Sequence, residues 1–119
     1  MGRSLQSAKR AGATFEQQIA DYLAERLNQP AIERRHLTGV NDRGDITGLF
    51  LNGQRVVIEC KNYGGRLEPS TWLKELSVEM VNDNAPLGAV IAKRKGTATP
   101  GDQYVLLTVD QFLAFITNW

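Results

Sequence analysis

Apolar positions in the first part of the chain recur at helical spacing. Phe15, Ile19, Tyr22, Leu23 and Leu27 lie three or four residues apart and form one stripe of a helix running from about Thr14 to Asn28. Thr14, with Gln17 three residues on, has the spacing of a capping box, and Asn28-Gln29-Pro30 marks the end. The period then shortens. Ala31 to Leu37 and Asp45 to Leu51 read as strands, and Asn52-Gly53 predicts a tight hairpin because both residues tolerate positive φ. Gln54 to Lys61 follows, with β-branched residues at its centre, and is the expected middle strand. Beyond Gly64-Gly65 and Pro69 a helix is predicted from Ser70 to Asn82, its buried side made of Trp72, Leu73, Leu76, Met80 and Val81. Leu87 to Ala92 and Gln103 to Leu107 complete the strands. Thr108 and Gln111 repeat the capping-box spacing before a last helix carrying Phe112, Leu113, Phe115 and Ile116. The order α-β-β-β-α-β-β-α, with no repeat or linker, predicts one α/β domain over residues 1–119. Its expected form is a mixed five-stranded sheet flanked by helices, with residues 1–12 as a flexible basic arm.

Composition narrows the class. With 42% hydrophobic and 23% charged residues the 119-residue chain can offset the entropy of ordering itself, which excludes a disordered or collagen-like protein. One cysteine excludes an internal disulfide framework and a cysteine-based zinc cluster, and fits a reducing compartment. No apolar stretch approaches the roughly 20 residues that span a bilayer, and Met1 to Arg10 lacks the apolar core of a signal peptide. A cytoplasmic protein without a membrane partner is expected. Fourteen Lys and Arg against 13 Asp and Glu give a net charge of +1, which by itself weighs against a nucleic-acid partner.

The chemistry gathers on the middle strand. Glu59 and Lys61 are two residues apart and leave the same face, whereas Cys60 points the other way and reads as a small core residue. The apolar run Val56-Val57-Ile58 predicts burial, where a carboxylate and an ammonium are costly unless paired or metal-bound. A structural Glu59–Lys61 ion pair is one reading. Asp45 favours the other: with the hairpin at Asn52-Gly53, position 59 mirrors a point near position 46, so the two carboxylates meet across the ladder. Like charges persist side by side when a divalent cation joins them. Asp42, before Gly44, suits an ordinary turn aspartate. Glu16 lies at the margin of the first helix's apolar stripe, either as a third acid of the site or as a first-turn residue favouring the helix dipole.

Asp45, the Glu59-Cys60-Lys61 triplet and a helical Glu16 resemble the PD-(D/E)XK nuclease superfamily, which has a restriction-endonuclease-like fold. The wider layout, with Gly12-Ala-Thr-Phe-Glu16, Arg34-Arg35, Gly44-Asp45-Ile46 and Ile58-Glu-Cys-Lys61, is similar to the archaeal-type and phage Holliday junction resolvases. The chain departs from the name-giving motif in having Gly44, not proline, before the aspartate. The resemblance implies a phosphodiester hydrolase. Asp45, Glu59 and the Cys60 carbonyl would hold Mg²⁺, with Mn²⁺ as a substitute, since oxygen donors suit these ions rather than zinc. Lys61 would orient water or neutralise phosphate, and Glu16 would join the metal site.

Basic residues are candidates for contact with a DNA backbone: Arg3, Lys9 and Arg10 in the arm, Arg34, Arg35 and Arg43, and the run Lys93, Arg94, Lys95. Each group also reads as a solvated surface. His36 reads as a strand-end polar residue and Trp72 as core, while Tyr63 and Trp119 are aromatic residues that could stack on bases. Resolution of a junction takes two symmetric cuts and so implies a homodimer acting on branched DNA. The alternatives are another nuclease of the superfamily (restriction-type, nicking or exonucleolytic) and a non-catalytic DNA-binding module on the same fold.

Overall fold

The computed structural model describes residues 5–35 and 45–119, so Arg3, His36, Asp42 and Arg43 lie outside the described residues. Helix α1 spans Leu5–Leu27 and begins well before Thr14. The apparent capping box there is not a start: Thr14 Oγ1 donates to the Arg10 carbonyl one turn back, and Gln17 bonds Asp21 one turn on. Residues 5–12 of the expected arm are therefore helical. Asn28 ends α1 in the left-handed conformation (φ 53°), with Asn28 N–H donating to Glu25 O and Gln29 N–H to Ala24 O, a Schellman arrangement.

Strands β1 (Glu33–Arg34), β2 (Ile46–Thr47), β3 (Phe50–Leu51) and β4 (Gln54–Lys61) follow; helix α2 (Pro69–Asn82) leads to β5 (Leu87–Ala92), and β6 (Tyr104–Leu106) to helix α3 (Val109–Thr117). The sheet runs β1-β2-β4-β5-β6, with β3 paired to β4 beside that path. Only β4 and β5 are parallel, as expected for a pair joined by a helix. The sheet therefore has six strands rather than five, because the strand predicted over Asp45 to Leu51 is broken at Gly48. Gly48 has φ +88°, and a Cβ there would stand 2.2 Å from the Ala31 carbonyl oxygen, so the backbone bends where only glycine fits. The Asn52-Gly53 turn forms as predicted, both residues with positive φ.

Strand alternation sorts the core into two layers. Val56, Ile58 and Cys60 of β4 pack with Phe15 and Ile19 of α1 and with Ile46, Ala89 and Ile91; Phe115 of α3 covers the same face. Val57 faces the other way with Val90 and Ala92, under Trp72 and Leu76 of α2. The result is an α/β fold with a mixed sheet between helices. On α2 the expected buried side is corrected at two positions: Val81 is 80% exposed, while Glu79, three residues after Leu76, is buried. Thr108 caps α3 by accepting from Gln111 N–H, and the Gln111 side chain accepts from Gly88 N–H.

Candidate active site

The bend at Gly48 decides which residue faces Glu59. Phe50 pairs with Arg55 and Leu51 with Gln54 on the turn side, whereas Ile46 pairs with Ile58 beyond the bend. The register thus slips by one residue, and Asp45, not position 46, comes opposite Glu59. Asp45 N–H donates to Ile58 O at 2.9 Å, and Asp45 Oδ2 accepts from Cys60 N–H at 2.7 Å. Cys60 thus turns its amide toward Asp45, and an extended residue turns its carbonyl to the same side. The thiol is buried in the α1-facing core, and burial pushes its pKa well up, so it is packing rather than a nucleophile.

Glu59 and Lys61 share the α2-facing side, with Lys61 Nζ 3.6 Å from Glu59 Oε1. Helix α2 adds two acids that the sequence reading omitted. Glu75 holds Lys61 Nζ at 2.6 Å, and Glu79, one turn on, hydrogen-bonds Glu59. Burial, and next the charge of Glu59, push the Asp45 carboxyl up to about 8. Burial also raises Glu59 far above the usual carboxylate range, followed by its hydrogen bond with Glu79 and that residue's charge. Burial pulls the Lys61 ammonium down, but Glu75 and Glu59 more than offset it and the net shift is upward. Glu59 Oε2 is buried without a hydrogen-bond donor.

Glu16 reaches the site from α1. It accepts from Arg34 Nε at 2.8 Å, and its charge contributes to raising Asp45. Among the described residues no three His, Cys, Asp or Glu side chains stand together as a metal cage. Mg²⁺ does not require one, because it commonly takes one or two carboxylates and completes its shell with water and substrate phosphate. Asp45, Glu59 with its undonated oxygen, and the Cys60 carbonyl are a donor set of that kind.

The basic candidates divide. Arg35 is half-buried, bonded to Asp83 and Thr47 at 3.2 Å each, and ties β1 to the end of α2. Its ion pair with the buried Asp83 gives it a structural role there. Arg34 is shared with Glu16. Lys93 Nζ donates to the carbonyls of Arg94 and Thr97, and Arg94 lies over Tyr104. Arg10 and Lys95 are exposed, and Lys9 belongs to α1. Trp72 is core, its ring tilted against that of the half-exposed Tyr63 with centroids 5.1 Å apart, and Trp119 is 93% exposed. Glu79 could have been found from its spacing, since it lies seven residues after Trp72 in the buried stripe. Comparison of the chain with protein-family models, curated proteins and solved structures finds no match.

Proposed function

We propose that this chain is a metal-dependent DNA endonuclease with a restriction-endonuclease-like fold, acting on branched DNA as a Holliday junction resolvase. The observation that carries the reading is the alignment of two carboxyls, the half-buried Asp45 and the buried Glu59, across a bulged hairpin, with an ammonium, Lys61, two residues beyond Glu59 on its strand. A structural ion pair explains Glu59 and Lys61 but not Asp45, whose carboxyl is pushed up by its burial and by the charge of Glu59 beside it. A divalent cation removes that conflict.

Asp45, Glu59 and the Cys60 carbonyl would hold Mg²⁺ or Mn²⁺, which when bound supplies Lewis-acid activation of water and phosphate. Lys61 offers a charged donor beside them for a non-bridging phosphate oxygen. Glu75 and Glu79 hold Lys61 and Glu59 from the α2 side, and Glu16 adds negative charge from α1. Hydrolysis adds water across the P–O3′ bond: the water oxygen bonds to phosphorus, and the 3′-oxygen leaves with a proton. Two such sites in a homodimer would cut the two strands of a junction.

The test is cleavage of labelled four-way junction, linear duplex and single strands, with Mg²⁺ or EDTA. Wild type is expected to make paired cuts in the junction only with Mg²⁺. Asp45→Asn and Lys61→Ala are each expected to lower the rate by about 100-fold or more. Undiminished cutting by either variant overturns the site. Cutting of linear duplex at the same rate selects another nuclease of the superfamily, and binding without cutting selects a non-catalytic module.

A further inference from the structure

The nuclease reading leaves open how the substrate strand reaches the carboxyls. We infer that a groove of about 380 Å³ between α1 and the carboxyl ends of β4 and β5 binds the phosphodiester backbone of the DNA, with Asn62 and Arg10 as its contact residues. This inference rests on the proposed nuclease function and places its substrate.

The groove is built from donors. Phe15 forms its floor, and Arg10, Thr14, Gln18, Asn62 and Lys93 line it, with no carboxylate among its described lining residues. Asn62 follows Lys61 directly and continues the strand alternation to the α1 side. Asn62 lines the groove, and because its Oδ1 accepts from Gly64 N–H at 3.3 Å, its amide NH₂ remains as the donor there. Lys93 follows β5, and its N–H donates to the Lys61 carbonyl at 2.9 Å, so one wall of the groove is hydrogen-bonded to the catalytic strand. Among the described residues, two of the three N–H bonds of Lys93 Nζ go to the carbonyls of Arg94 and Thr97, which fixes the ammonium and leaves the third for a ligand. Arg10, on the exposed side of α1, closes the rim. Two cations and an oriented amide at the ends of parallel strands fit an anion. The neighbouring carboxyl site calls for that anion to be a phosphate of a longer chain rather than a free ion. A strand lying here passes around the end of β4, from the α1 side toward Glu59 and Lys61.

The experiment is fluorescence anisotropy of the full chain with labelled junction and duplex in EDTA, over a series of NaCl concentrations. Asn62→Asp keeps the oxygen that holds Gly64 but replaces the NH₂ with a negative oxygen, and is expected to weaken binding about tenfold or more. Arg10→Ala is expected to reduce the steepness of log K against log salt by about 0.9. Arg26→Ala removes an exposed cation from the far end of the same helix and is expected to change affinity by less than about twofold. Wild-type affinity in both groove variants, an equal loss in Arg26→Ala, or no binding by wild type overturns the groove. Binding through the groove without cutting in Mg²⁺ overturns the nuclease reading and leaves the groove in place. Cutting in Mg²⁺, with both groove variants bound as tightly as wild type, does the reverse.

Discussion

Asp45 and Glu59 are carboxyls that the fold holds partly protonated near neutrality. The groups facing them are Glu16 from α1, Lys61 on β4 and Glu79 from α2. In the unfolded chain both titrate near 4, so between that pH and their raised folded values the native state binds more protons than the unfolded state. Stability from these groups is therefore present at low pH and lost as pH rises toward about 8, the folded value of Asp45. Without divalent metal, the melting temperature is expected to fall as pH is raised from about 5 to about 9. Asp45→Asn should flatten that fall, because an amide has no proton to lose and does not repel Glu59. A metal held by ionised carboxylates releases protons, so Mg²⁺ should raise the melting temperature more at about pH 8 than at about pH 6. Differential scanning fluorimetry checks all three trends, and an Mg²⁺ effect independent of pH would remove the carboxyl pair from metal binding. Local rules made three members of this site readable in the sequence: alternation puts Glu59 and Lys61 on one face, and a short hairpin brings Asp45 to them. Apolar residues alone do not reveal Glu79, although it keeps the spacing of Trp72 and Leu76 on the buried side of α2, and Glu75, on the exposed side, has no burial pattern to mark it.

At the scale of elements, Gly48 sets the registration that the site needs. A continuous strand from Asp45 to Leu51 would keep the turn's register and put Ile46 opposite Glu59, with Asp45 one step away and on the other face. The bend absorbs one residue and puts Asp45 in place. Gly48→Ala meets both an unfavourable φ of +88° and the Ala31 carbonyl, and is expected to cost about 2–4 kcal/mol in urea unfolding. The same variant should lose the Mg²⁺-dependent rise in melting temperature, whereas Gly53→Ala, at a turn with open space, should lose stability by strain while keeping that rise. Equal metal response in Gly48→Ala and wild type would show that the bend does not align the carboxyls. The bend was not visible in the sequence, since a glycine inside an apolar run reads equally as a weak strand position. The longer elements were readable: β4 and β5 have a strong β-branched and apolar pattern, and α2 extends only one residue beyond its predicted start. The start of α1 was not, because Thr14 and Gln17 have the spacing of a cap but bond within a helix already begun at Leu5.

For the molecule as a whole, the five acids grouped around Lys61 (Glu16, Asp45, Glu59, Glu75 and Glu79) leave 13 basic residues against 8 acidic over the rest of the chain, so overall near-neutrality does not oppose a polyanionic substrate. No helix among the described residues is long and apolar enough to cross a membrane. Exposed apolar surface is concentrated elsewhere. Phe112, Phe115, Ile116 and Trp119 line an apolar groove of about 400 Å³ on α3, and Val105 is exposed on β6, the end of the sheet order. An exposed apolar helix face is unfavourable in water and prone to association. On the proposed function, a second copy of the chain would cover that surface and supply the second site that paired cutting needs. Light scattering is expected to give about twice the 13.2 kDa chain mass, reduced to one chain by Phe112→Glu combined with Ile116→Glu. Both positions are more than half exposed, so the monomer should fold with a melting temperature within a few degrees of wild type. That monomer retains each carboxyl site. In Mg²⁺ it should therefore still nick a junction on one strand while losing coordinated cuts on two. A wild-type monomer that makes paired cuts would separate symmetric resolution from this surface.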